Sequence, residues 1–569
     1  MPNNLRHYLP IAVLLVVFLI ALRPQAITAA DDAQSTTFII GQIVDGQGAP
    51  VDGALVELRA GQAGRVLAEG ESQPDGRYAL PLPAEVAPNA QLSLYVSRSH
   101  FEEAVITLDS SAVEPLSRGQ SVVVGELTLA RRIGPGLWIA AGVFLLMLIL
   151  IAATELHNTL AALLGAVLIL GISYLGGAIS EDLFIFEFDG ALSYVDWNVI
   201  FLVMGMMIVI AIVERTGVFQ WLAVKAYRIS GGRPWLLLTI LMLITGLASA
   251  FLDNVTTMLL MTPITVQIAL ALGMNPLALL IPELMASNVI GVSTLVGTPT
   301  NILIGSFANI SFNDFLVNLT PGVIMAFAGL LLYSLIAYRG DLRGRGRISE
   351  AMLERLTHRS QIEEPGDLRK ALVVGAFMLV LFVAGERIHL LPAVTALMGA
   401  TVLLFLVQPD IEEMIDSVDW TTLVFFISLF IVVGAIQEVG LLAWIAQLIG
   451  DLVGDNLPLA MLAVIWLSAV LSMVVANIPF TAAMLPVVGY LTLTIPGAHN
   501  KSLFYCLSVG AAMGGNGTSI GASANMVTLG IAERAGYPVT YGYFLKKGLP
   551  AVIITVTLAT VWLFVRFVF

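Results

Sequence analysis

Ser249 to Pro263 reads SAFLDNVTTMLLMTP, a polar break at Asp253-Asn254 inside an apolar stretch that runs from Leu236 to Leu272. Ser472 to Pro486 reads SMVVANIPFTAAMLP, so Asn254 matches Asn477 and Pro263 matches Pro486 at an offset of 223. A duplication carries its neighbours along at nearly the same spacing. Asp196-Trp197 matches Asp419-Trp420 at 223, and Gly297 to Asn301 (GTPTN) matches Gly521 to Asn525 (GASAN) at 224. Thr294 then falls on Thr518 and Gly291 on Gly515. Each half therefore holds two interrupted apolar segments in the same order. Interruptions paired in this way are the sequence mark of a binding site between two transporter repeats.

Composition agrees with a membrane location. The 569 residues are 58% hydrophobic and 12% charged, with a mean hydropathy of +0.90, which excludes a soluble globular protein. The net charge of -13 says less than the placement of Lys and Arg. A single cysteine, Cys506, excludes an internal disulfide framework and a thiolate metal cluster.

Residues 1–30 have the layout of a cleaved secretory signal peptide, with an uncleaved anchor as the alternative: Arg6, an apolar run from Ile11 to Leu22, then small residues Thr28-Ala29-Ala30. From about 36 to 130, short alternating stretches such as Leu92-Ser93-Leu94-Tyr95-Val96 are separated by Gly, Pro and Asp turns. They predict a small all-β sandwich. Apolar segments long enough to span follow at about 137–153, 159–177, 198–214, 284–308, 321–338, 371–387, 390–407, 421–436, 503–530 and 549–567. The stretches 235–272 and 457–490 are each either two spans or a re-entrant hairpin.

Loop charge decides between these. With the β-domain extracytoplasmic and both stretches returning to the side they left, cytoplasmic loops hold fifteen Lys and Arg and outer loops hold two, Arg387 and Lys501. That is a strong positive-inside bias, and it collapses if only one stretch is a hairpin. In this topology Trp197 opens an inward segment and Trp420 an outward one, so the halves are inverted repeats. The predicted fold is an all-α polytopic membrane protein of about ten spans plus two re-entrant hairpins, preceded by the β-sandwich. Its parts are repeat 1 at 137–338, a cytoplasmic basic linker at 339–370 with anionic lipid as a contact, and repeat 2 at 371–569.

Non-helical backbone at membrane depth survives only where it is buried or lines a water-filled cavity. Four such breaks occur: Asp253 to Thr257, Gly291 to Asn301, Ala476 to Thr481 and Gly514 to Asn525. Helix ends there offer carbonyls to a cation, and helix starts offer N–H groups to an anion. The candidate ligands are Asn254, Thr256, Thr257, Thr294, Gly297, Thr298 and Asn301 in the first half. In the second they are Asn477, Thr481, Thr518, Ser519, Gly521, Ser523 and Asn525. The bland reading is that these residues cap kinked helices.

Asp253 is the clearest ionisable group at depth, hence a functional candidate by default, and one suited to exchanging a proton for a cation. Its counterpart is Ala476, so the two sites are not electrostatically alike. The alternative is that Asp253 caps the helix that follows. Glu155 with His157, and Glu386 with Arg387 and His389, fit segment ends; Glu283 and Glu533 adjoin the second breaks as candidate gates.

SAFLDNVTTMLLMTP, ASNVIGVSTLVGTPTNILIG with Phe312-Asn313-Asp314-Phe315, and GAAMGGNGTSIGASANMVTLGIAERAGYPVTYGYFLKKG resemble one ion transporter superfamily. It holds arsenite permeases, the melanosomal P protein, NhaD-type sodium/proton antiporters and citrate-transporter-like divalent-anion symporters. The resemblance covers roughly 137–569 and is strongest to the P protein and arsenite permease branch. It implies ion-coupled permeation by a homodimer moving like an elevator, with H+ or Na+ as coupling ion and no other cofactor. By that resemblance Asn254, Thr256 and Gly297 to Asn301 build one site and Asn477, Thr481 and Gly521 to Asn525 the other. The only metal it implies is sodium, at Asn254, Asn301, Asn477 and Asn525. The symporters carry Ser-Asn-Thr at both tips, where this chain has Asp-Asn-Val and Ala-Asn-Ile. GQIVDGQGAPVDGALVELR with Pro74 to Leu80 (PDGRYAL) resembles the carboxypeptidase regulatory-like domain, which implies a non-catalytic accessory module.

The leading expectation is a secondary transporter in the cell (inner) membrane, moving an inorganic or small organic anion coupled to H+ or Na+. Sodium/proton antiport is the alternative, and a sensor or adhesion module on an anchor a distant one. An enzyme and a nucleic-acid partner are not expected, and no nucleotide-binding loop is present.

Overall fold

The structure, a computed structural model, describes residues 37–343 and 361–569, except 47, 49, 61–64, 83–90, 118–119, 154–155, 443, 446–447 and 449–453, together with Glu354 and His358. The expected signal peptide, Glu155 and most of the basic linker lie outside the described residues. The chain divides into two compact units, Met1–Arg132 and Ile133–Phe569.

Among its described residues the first unit holds seven strands: β1 (Phe38–Asp45), β2 (Leu55–Ala60), β3 (Val66–Glu71), β4 (Arg77–Pro81), β5 (Leu92–Ser97), β6 (Ala104–Thr107) and β7 (Val122–Leu129). They form two sheets, in the orders β4-β1-β7 and β3-β2-β5-β6. Alternation along the strands sends Ile39, Ile43, Val56, Leu58, Tyr78, Leu80, Leu92 and Leu94 into one core. Gly76, at φ +75°, makes the left-handed turn into β4 that the Asp-Gly pair foretold. Two features were not foreseen: β1 and β7 pair in parallel, and a short helix, α1 (Ser110–Ser117), precedes β7.

The second unit is helical. Its first half runs α2 (Pro135–Ala153), α3 (Asn158–Gly171), α4 (Phe188–Ser193), α5 (Trp197–Arg215), α6 (Val218–Ser230), α7 (Pro234–Ser249), α8 (Asn254–Ala271), α9 (Leu277–Gly291), α10 (Pro299–Phe307) and α11 (Phe312–Ala337). The second half runs α12 (Pro365–Ala384), α13 (Pro392–Val407), α14 (Ile411–Asp416), α15 (Trp420–Glu438), α16 (Leu457–Ser472), α17 (Asn477–Thr494), α18 (Ser502–Gly514), α19 (Ser523–Arg534) and α20 (Tyr541–Phe567). Among the described residues, eight helices are long and apolar enough to cross a membrane. Two of the expected spans, 284–308 and 503–530, are instead split by their Gly- and Asn-rich breaks into α9/α10 and α18/α19.

Both interrupted stretches are hairpins. Thr245 bonds Glu283 and Ser287 bonds Ser249, pairs with the same separation of 38, so α7 and α9 run parallel. The intervening α8 must therefore carry the chain back to where α7 began. In the second half Gly510 lies against Ile465 and Gly514 against Ala469, so α16 and α18 are parallel too, and α17 is the return arm.

The halves are inverted. α11 and its equivalent α20 pair antiparallel: Trp562 Nε1 donates to Asn318 O at 2.7 Å, and Tyr333 Oη donates to Lys547 O at 2.8 Å. Every residue of α9 and of α18 is buried, so these two half-helices form the centre of the unit.

Candidate functional site

Each helix break is closed by an asparagine reaching back across it. Asn301 Nδ2 donates to Val292 O at 2.9 Å and Thr294 O at 2.8 Å; Asn525 Nδ2 donates to Gly515 O and Thr518 O, both at 2.8 Å. Amide donors meet carbonyls that the unwound backbone would leave orphaned, at about 1–3 kcal/mol for each buried group. The hairpin tips are tied on in the same way. Thr294 Oγ1 donates to Ala250 O, and Thr518 Oγ1 to Met473 O. Gly297 and Gly521 sit where the tip meets the break: a Cβ on Gly297 would lie 2.8 Å from Ser249 O, and one on Gly521 2.9 Å from Ser472 O. Three matched contacts, and a fourth displaced by one residue between Val292 O and Gly515 O, thus build one device twice.

The two devices are joined by side chains. Ser508 on α18 donates to Asn301 Oδ1 at 2.6 Å, and Asn288 on α9 donates to Asn516 Oδ1 at 2.8 Å and Asn525 Oδ1 at 3.2 Å. Asn254, at the first tip, donates to Asn288 Oδ1 at 2.6 Å. An amide chain therefore runs from the first hairpin tip into the second break.

The tips differ electrostatically. Asp253 is the N-cap of α8, its Oδ1 accepting from Val255 N and Thr256 N, both at 2.9 Å, and its Oδ2 from Thr256 Oγ1 at 2.6 Å. Thr257 Oγ1 donates to Asp253 O. Thr298 caps α10, its Oγ1 accepting from Asn301 N at 3.2 Å. In the second half Ala476 precedes α17 and Ala522 precedes α19, and neither helix has a side-chain cap. These bare N-termini adjoin, because Asn477 N donates to Gly521 O at 3.3 Å. Ser519 and Ser523 are half-buried beside them, and Thr481, one turn into α17, has a buried hydroxyl with no hydrogen-bond partner among the described residues.

The structure thus gathers the expected residues into two matched clusters. It gives Asp253, Thr256 and Thr298 to capping and Asn301 and Asn525 to bracing. Asn288, Asn516 and Ser508 were not singled out from sequence, because they lack matched partners in the other half. The polar run Ser287-Asn288 at the end of a wholly buried helix was the available sign.

A duplicated, inverted unit with hairpin tips meeting broken helices defines the class of secondary transporters. Residues 146–498 match the citrate transporter (CitMHS) family, and the chain belongs to that family. An uncharacterized transporter of Mycobacterium tuberculosis is 37% identical over 75% of this chain and 98% of its own length. The human P protein is 31% identical over 76% of this chain and 59% of its own. The YdaH transporter of Alcanivorax borkumensis has a similar fold, with a TM-score of 0.51 at 15% identity over 73% of this chain and 99% of that one. The protein is therefore a multi-pass membrane transporter.

Proposed function

We propose that the protein moves a small anion, coupled to a cation gradient, and that the anion is held in the second half. The observation that carries this reading is the pair of adjoining, uncapped N-termini of α17 and α19. The N–H groups of Ile478, Ser523 and Ala524 in the first turns and the positive end of each helix dipole favour an anion, with Ser519, Ser523, Thr481 and Asn477 as polar side chains of the same tip and break. In the first half the equivalent positions are filled by Asp253 and Thr298. Citrate, by family, and arsenite, by the motif resemblance, are the first anions to try.

The fifteen-to-two distribution of basic residues supports a cell-membrane location with the β-unit outside the cytoplasm. Cys506 is buried, so Val105→Cys, at an exposed position, supplies an accessible thiol; labelling by an impermeant maleimide on spheroplasts is the expected result. We also infer a homodimer, to be read from the mass of the purified protein.

The deciding measurement is flux in proteoliposomes, with internal pH recorded while sodium, citrate and arsenite are added in turn. Anion-dependent pH change supports the proposal. Proton movement driven by sodium alone would replace it with sodium/proton antiport.

A further inference from the structure

Glu283 lies at the middle of α9 with no exposed surface. Because α7 runs parallel to α9, Thr245 stands beside it and donates to Glu283 Oε1 at 2.6 Å. From the return arm of the hairpin, the hydroxyl of Thr265 on α8 faces the same carboxyl. Among the described residues Glu283 Oε2 and Thr265 Oγ1 are nevertheless buried without a hydrogen-bond partner, as is Thr262 Oγ1 one turn earlier.

Among the described residues no cation balances this carboxyl. α7 and α8 contain no Asp, Glu, Lys, Arg or His, and Glu283 is the only such residue of α9. Of the other elements packed on α9, α11 carries Asp314, in its capping box, and Tyr333, and α19 carries Glu533 and Arg534 in its last two positions. α18 carries Tyr505 and Cys506, and the turn Gly515–Gly517 carries no titratable group. A bare carboxylate enclosed in this way is strongly disfavoured. A bound proton removes the charge and gives Oε2 a hydrogen to donate to Thr265 Oγ1, which uses both orphaned atoms. A calcium ion takes about six to eight oxygen ligands, more than one carboxylate and two hydroxyls provide.

We propose that Glu283, framed by Thr245 and Thr265 between the hairpin and the first broken helix, is an exchangeable proton-binding site that couples anion movement to the proton gradient. The coupling role rests on the transport reading above. The site belongs to the first half alone, since the second places Ser468, Leu507 and Val488 at the corresponding positions. It also replaces Asp253 in that role, because both oxygens of Asp253 are engaged in its cap.

Infrared difference spectroscopy of the purified full-length protein, titrated from neutral to alkaline pH, reads the site without transport. The expected result is a protonated-carboxyl band in wild type that is missing from Glu283→Gln and kept in Asp253→Asn. Superimposable wild-type and Glu283→Gln spectra overturn the proposal. If Glu283→Gln does not fold, Glu283→Asp decides: a displaced band supports the site, and an unmoved band overturns it. In proteoliposomes with citrate or arsenite, Glu283→Gln is expected to cut the response of flux to an imposed pH gradient at least tenfold, with partial rescue by Glu283→Asp. A wild-type-like response in Glu283→Gln overturns the coupling role. If wild type moves neither anion, the transport reading fails while the band still decides the proton site.

Discussion

The two halves of the membrane unit share a backbone device and differ in the charge placed on it. In both, an asparagine spans a helix break and a threonine ties the break to a hairpin tip. The first half then adds Asp253 at its tip and Glu283 behind it, whereas the second has Ala476 and Leu507. Backbone geometry at membrane depth tolerates little variation, because every orphaned group must find a partner there. Side-chain charge is free to diverge, and the proposed division of an anion site in one half and a proton site in the other rests on that freedom.

The shared device gives the largest expected effect. Asn301→Ala and Asn525→Ala each strip two carbonyls of their donors, at about 1–3 kcal/mol for each left unsatisfied. Thermal unfolding of the detergent-solubilised protein should show comparable losses for both. A large loss for one and none for the other would break the equivalence of the halves.

The charge difference comes next. Ala476→Asp gives the second tip the carboxylate of the first. Two unit charges about 8 Å apart repel by about 2 kcal/mol at an effective dielectric near 20, or about thirtyfold in affinity. Anion flux should fall by about that factor, while the new cap leaves stability equal or raises it by up to about 2 kcal/mol. Undiminished flux would place the anion elsewhere.

A smaller effect tests the link between the halves. Ser508→Ala removes one of the bonds that cross from one broken helix to the other, and a typical net value is about 1 kcal/mol. Because the bond joins the two half-helices at the centre, the loss should appear in unfolding and in flux together. A change in neither would make the contact incidental.

The duplication made much of this legible before any coordinates. The offset between Asn254 and Asn477 located both tips, and the parallel pairing of α7 with α9 shows that the chain turns back at the first of them. What the repeat could not expose is what is not repeated: Asn288, Asn516 and Ser508 each lack a like residue in the other half, so comparing halves passes over them, and Glu283, which also lacks one, was named only as a candidate gate. Asp253 was conspicuous because a carboxylate amid apolar residues draws the eye, yet sequence cannot show how many donors reach it. The β1–β7 pairing was hidden for another reason: alternation sets which face a strand buries and leaves its partner open.

Asp253 is also the subject of the smallest expected change. Asparagine caps a helix about as well as aspartate, so Asp253→Asn keeps the acceptor for Val255 N and Thr256 N, and loses the acceptor for Thr256 Oγ1 together with the charge at the start of α8. That charge contributes about 0.3–1 kcal/mol, and flux should change by less than about threefold, with its pH dependence in place. The variant is most informative beside Glu283→Gln, since each removes one carboxylate from the first half and leaves the second untouched. If proton-linked flux vanishes with Asp253→Asn and survives Glu283→Gln, the charge that separates the halves acts at the hairpin tip, and the buried carboxyl behind it serves packing alone.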